Sequence, residues 1–155
     1  MRLVIVGNYD ELSRRAAGMV AKTVRRKADL VMGLATGGTP EGCYRQLVHM
    51  HRERGLSFAK VNTFNLDEYV GLPPTHEQSY RRYMDRNLFD LVDINKENIH
   101  FLDALTQMPH EDCERYERAI TALGGIDLQL LGIGSNGHIA FNEPGSSFDS
   151  RTRVI

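Results

Sequence analysis

The sequence predicts an α/β domain built on an open, mostly parallel sheet. Short runs rich in β-branched and leucine residues recur at 2–6, 29–34, 60–64, 98–102 and 126–131, and helix-like sequence separates each from the next. Strand-helix-strand units cross over right-handed and make parallel sheets, so the alternation carries the sheet type with it. The chain of 155 residues, 41% of them hydrophobic, is long enough for one domain with its own core, and it contains no repeat, linker or low-complexity stretch.

Each element has its own signals. The first strand, "RLVIV" at 2–6, leads into apolar residues at helical spacing (Leu12, Ala16, Met19, Val20, Val24). After "DLVMGL" (29–34), Thr39 reads as an N-cap with Pro40 as first helical residue, and Tyr44, Leu47 and Val48 form the next stripe. Past "KVNTF" (60–64), Thr75 and Gln78 have the spacing of a capping box ahead of Tyr80, Tyr83, Met84, Leu88 and Leu91. The strand "NIHFL" (98–102) precedes a stripe of Cys113, Tyr116, Ala119, Ile120 and Leu123, which Gly124 and Gly125 end. The last strand of the series is "IDLQLL" (126–131), and "SRTRVI" (150–155) reads as the beginning of a sixth.

Composition narrows the function. Nineteen basic residues against 20 acidic ones give no field for a nucleic acid backbone or an anionic membrane, so neither is an expected partner. Cys43 and Cys113 form no C-x-x-C pair and read as core residues of a protein in a reducing cytoplasm. The opening apolar run is too short for a signal peptide or a membrane span.

In a parallel sheet the ligand crevice lies beyond the carboxyl ends of the strands, and three unusual loops fall there. In the first, Thr36, Gly37, Gly38 and Thr39 combine a flexible backbone with a helix N-terminus, which suits a phosphate; a plain strand-to-helix turn would use the same glycines. No G-K-[ST] follows, so the loop is not a nucleotide triphosphate site. In the second, Asp67 and Glu68 are adjacent, so in extended backbone only one of them faces the crevice. A carboxylate there can abstract a proton from carbon, or it can cap a turn.

The third loop, "GIGSNGHIAFNEPGSS" (132–147), places Gly132, Gly134 and Gly137 at the dinucleotide spacing G-x-G-x-x-G. That motif opens directly into a helix, and Pro144 and Gly145 stand where the helix would run. No nicotinamide cofactor is expected. The loop instead delivers Asn136, His138 and Glu143 together, an imidazole with a carboxylate nearby, which is a proton shuttle suited to neutral pH. It has neither the helical H-E-x-x-H pattern nor a cysteine ligand for zinc, and no metal is expected.

Together "GLATGGTP" (33–40), "FNLDEYVGLP" (64–73) and "GIGSNGHIAFNEPGSSFDSRTR" (132–153) resemble the glucosamine-6-phosphate deaminases of the glucosamine/galactosamine-6-phosphate isomerase family. The resemblance implies a Rossmann-like three-layer sandwich and a cofactor-free conversion of glucosamine 6-phosphate and water to fructose 6-phosphate and ammonia, a hydrolase/isomerase step of cytoplasmic amino-sugar breakdown. It gives His138 the opening of the sugar ring, Asn136 and Glu143 the orienting of that histidine, and Asp67 the proton transfer between C2 and C1. It gives Thr36, Gly37, Gly38, Thr39 and Gly137 to substrate binding.

Some relatives carry Asp where this chain has Asn136. Relatives also continue past the position of Ile155 with basic residues that complete phosphate binding, so the single domain at 1–155 is expected to lack the C-terminal part of the family fold. Ser146, Arg151 and Arg153 lie where hexameric relatives bind an activating sugar phosphate, while other relatives are monomeric, and a homo-oligomer is possible. A 6-phosphogluconolactonase shares the G-x-G-x-x-G-H run and is the alternative enzyme; a non-catalytic sugar-phosphate-binding fragment is the alternative outside enzymes.

Overall fold

A computed structural model describes residues 2–155. Four helices and four strands alternate in order: α1 (Tyr9–Arg26), β1 (Val31–Leu34), α2 (Gly38–Arg54), β2 (Asn62–Asn65), α3 (Tyr80–Asn87), β3 (Ile99–His100), α4 (Pro109–Ala122) and β4 (Leu128–Gln129). The strands form one sheet in the order β3-β2-β1-β4, parallel at every pairing. Strand order therefore reverses between β1 and β4, which is where open α/β sheets bind ligands.

The sheet divides two apolar layers. On one face Ala17, Val20 and Val24 of α1, Tyr44 and Leu47 of α2 and Met84 of α3 pack with Leu30, Met32 and Leu34. On the other, Tyr116 of α4 packs with Val31 and Phe64. Two helical layers around a sheet make the three-layer sandwich.

Several local expectations change. Residues 2–6 form no strand: none of the four strands pairs with them, and Leu3 and Ile5 are 77% and 85% exposed. An apolar β-branched run becomes a strand only when a ladder takes its N–H and C=O groups. The run at 150–155 is likewise irregular. Helix α2 begins two residues earlier than predicted, with Gly37 at the N-cap (φ +99°) in place of Thr39. The capping box at Thr75 and Gln78 is not used; Ser79 caps α3, its hydroxyl accepting from the Arg82 N–H at 3.0 Å. In α1 the buried face carries Ala17 and Ala21 rather than Leu12 and Met19, which are exposed. The small residues let α1 lie close to α2.

That approach is tightest at Gly42, where a Cβ would come within 2.1 Å of the Ser13 hydroxyl and 2.9 Å of the Tyr9 hydroxyl. Gly42→Ala is expected to lower stability by about 1–3 kcal/mol through overpacking, read as a fall in the denaturant midpoint at unchanged slope.

Candidate active site

The three loops leave the carboxyl ends of β1, β2 and β4, so the parallel order brings them to one rim of the sheet. The loop after β1 is tied down by tyrosine hydroxyls. Tyr44 donates to the Ala35 carbonyl (2.5 Å), Tyr83 to that of Gly37 (2.6 Å) and Tyr9 to those of Gly38 and Thr39 (3.0 Å each). With these carbonyls engaged, the loop leads into the first N–H groups of α2, which have no intrahelical acceptor and favour an anion. No local motif marks these tyrosines. Tyr9 and Tyr83 act on a loop about 30 and 46 residues distant.

After β2 the two adjacent carboxylates separate. Both oxygens of Glu68 are committed: one accepts from Tyr69 N–H and Tyr80 N–H (2.9 Å each), the other from Arg81 N–H (2.8 Å). Asp67 is partly buried and has no hydrogen-bond partner among the described residues; it lines a cavity of about 880 Å³ together with Gly137 and Glu143. Burial, and then the neighbouring charge of Glu68, pushes the Asp67 carboxyl up to about 6. A carboxylate raised to that range and left without a partner is poised to exchange a proton at neutral pH.

After β4 the chain turns at Gly134–Gly137, where Gly137 N–H donates to the Gly134 carbonyl (2.9 Å) and Gly137 takes φ +92°. The His138 imidazole folds back over Gly134 so closely that a Cβ on that residue would lie 2.2–2.6 Å from the ring. Here the dinucleotide spacing serves an imidazole. Nδ1 of His138 is 2.7 Å from Asn136 Oδ1, and the amide nitrogen of Asn136 donates to Glu143 Oε2 at 2.8 Å. The amide oxygen can only accept, so Nδ1 carries the proton and the lone pair of the neutral ring is on Nε2. Glu143 thus reaches the histidine through Asn136 rather than directly, a link that an ionised Asp at 136 could not donate.

The cavity and the hollow beside it share Glu143; His138 lines the second, and Thr36 to Thr39 line neither. Aromatic residues connect the loops. Tyr69 and Tyr80 have ring centroids 4.8 Å apart, Phe141 lies 5.9 Å from Tyr69, and the Tyr80 hydroxyl donates to that of Tyr69 (3.0 Å). Of the distal residues, Arg151 and the N–H and hydroxyl of Thr152 bind Glu117 on α4, and Arg153 donates to Asn142. Among the described residues no group of three or more His, Cys, Asp or Glu side chains is placed to hold a metal ion, and no helix is long and apolar enough to cross a membrane.

A glucosamine-6-phosphate deaminase of Bacillus velezensis is 53% identical over the whole chain, and glucosamine-6-phosphate deaminase 1 of Giardia intestinalis is 55% identical over 91% of it; the chain spans 64% and 53% of their lengths. The solved structure of a monomeric glucosamine-6-phosphate deaminase superposes on the whole chain with a TM-score of 0.97 at 46% identity, the chain covering 64% of it. A 6-phosphogluconolactonase from Thermotoga maritima is more distant, with a TM-score of 0.73 and 29% identity over 90% of the chain, which covers 62% of that structure. The profile of the glucosamine-6-phosphate isomerases and 6-phosphogluconolactonases matches residues 8–150, and the chain belongs to that family.

Proposed function

We propose that the protein containing this chain deaminates and isomerises glucosamine 6-phosphate to fructose 6-phosphate and ammonia, in the cytoplasmic breakdown of amino sugars. The observation that carries the reading is the pairing of an unpartnered, half-buried Asp67 with the His138–Asn136–Glu143 chain around adjoining hollows. The phosphate rests on the N–H groups of Thr36 to Thr39. With Nδ1 held by Asn136, His138 uses Nε2 to move the proton between the C1 hydroxyl and the ring oxygen as the ring opens. Asp67 then removes the C2 proton, giving an enolamine, and returns a proton to C1. The resulting imine at C2 takes up water and expels ammonia, so one water enters and one ammonia leaves. Each step is general acid-base catalysis.

A lactonase needs an activated water and no carbon acid, so an Asp67 poised for proton abstraction favours the deaminase. Offered glucosamine 6-phosphate and 6-phosphogluconolactone in parallel, the full-length protein is expected to release ammonia from the first and leave the second at its spontaneous rate. Lactone hydrolysis without ammonia release would reverse the assignment.

A further inference from the structure

Glu68 is bound by more backbone donors than any other carboxylate near the site. Two of its three donors, Tyr80 N–H and Arg81 N–H, are the first two residues of α3, and the third, Tyr69 N–H, belongs to its own loop. Charge-assisted bonds of this kind at a helix N-terminus fix a carboxylate firmly. The fixing has consequences on both sides of Glu68. On the chain before it, Asp67 is left as the carboxylate without a partner at the cavity. On the helix it caps, Tyr80 is placed so that its hydroxyl donates to that of Tyr69 (3.0 Å), a second tie between α3 and the loop after β2.

We propose that Glu68 is a positioning residue for the deamination: its carboxylate clamps the loop after β2 to α3, holds Asp67 toward the substrate and keeps a fixed negative charge beside it. The inference rests on the deaminase reading of the site. Burial and then Glu68 raise the Asp67 carboxyl to about 6, in keeping with that charge. The other titratable or charged groups near Asp67 are Tyr80 on α3, Tyr116 on α4 and, lining the same cavity, Tyr69, Asp103, Asp112, Cys113, Glu117, Glu143, Arg151 and Arg153. A change at Glu68 alone removes none of these groups.

The test is the pH profile of kcat/KM for ammonia release by the full-length protein, compared among wild type, Glu68→Gln, Glu68→Asp and Ser79→Ala. Ser79→Ala removes the other side-chain cap of α3 without altering charge near Asp67. Wild type is expected to lose activity as pH falls through about 6. In Glu68→Gln that limb should move down by roughly half a pH unit to one unit, with kcat down roughly tenfold and KM changed by less than about threefold.

Glu68→Asp keeps the charge but not the reach, so its limb stays in place while kcat falls. Ser79→Ala melts earlier but keeps both limb and kcat. The clamp is overturned if Glu68→Gln folds with the wild-type limb and kcat, or if Ser79→Ala moves the limb as far as Glu68→Gln does. Should Glu68→Gln not fold, Glu68→Asp decides: lowered kcat on an unmoved limb supports the clamp, and wild-type kcat overturns it. A wild type that releases no ammonia overturns the deaminase reading and the clamp with it, whereas an active wild type beside an unaffected Glu68→Gln overturns the clamp alone.

Discussion

Asp67→Asn should lower ammonia release from glucosamine 6-phosphate by roughly 10²- to 10⁴-fold, the usual worth of a positioned general base, and should make the protein more stable at pH 7. The two effects share one cause. The Asp67 carboxyl titrates at 3.8 when unperturbed and at about 6 in the folded protein, so between those values the native state holds a proton that the unfolded chain has lost. Stability therefore falls as pH rises through that window, and above it the ionised carboxylate is a standing cost. Each pH unit separating the folded from the unfolded titration is worth about 1.4 kcal/mol, and with the group only partly buried and still reached by solvent the cost is on the order of 2 kcal/mol. The neutral amide removes it. Chemical denaturation of wild type and variant should show the gap at pH 7 and its closing below about pH 4. A variant that is inactive but shows no pH-dependent gain would mean that Asp67 is not held in a desolvating site.

Gly134→Ala should cost roughly 100-fold in kcat/KM while moving the melting temperature little. A Cβ at Gly134 would lie 2.2 Å from Cε1 and 2.4 Å from Nδ1 of His138. The backbone of Gly134 is not in the left-handed region, so the chain can accept alanine, and the imidazole must give way. Moving it breaks the 2.7 Å contact with Asn136 that fixes the proton on Nδ1. Misplacement by about 1 Å is enough for a loss of this size. The loop is exposed and makes few core contacts, which is why stability changes little. Gly132→Ala is the matched control, since a Cβ there meets nothing within 4 Å and needs no unusual backbone angle. Near-normal activity in Gly134→Ala would show that the histidine tolerates displacement and does not act from this position.

The contrast between those glycines bears on what is legible in the sequence. Alternating apolar runs and helical stripes locate all four strands and all four helices, because both periodicities follow from which face must be buried. The same signal places a strand at 2–6 that does not exist, since composition reports that a segment can pair but not whether a partner is at hand. Helix starts are misplaced at Gly37 and Ser79 for a related reason: several nearby residues could cap, and tertiary contacts choose among them.

At the site, the loops and their polar residues are readable, but the division of labour between Asp67 and Glu68 is not. It depends on the N-terminus of a helix twelve residues downstream, which the linear pattern does not join to Glu68. The tyrosine hydroxyls that bind the carbonyls of the loop after β1 come from α1, α2 and α3 and are equally invisible without the fold. Likewise, "NGHIAFNE" shows an imidazole with a carboxylate nearby; only the folded loop sets the Asn136 amide between them.

The most direct measurement is the reaction itself followed by proton NMR in D₂O. Given glucosamine 6-phosphate, the full-length protein should produce ammonium and fructose 6-phosphate with deuterium entering at C1, as expected when a carboxylate carries the proton between carbons and exchanges it with solvent. Folded Asp67→Asn should produce both at least roughly a hundredfold more slowly. Ammonium and fructose 6-phosphate formed by Asp67→Asn at the wild-type rate, or a folded full-length wild type that leaves the amino sugar untouched, would contradict the roles given to these loops.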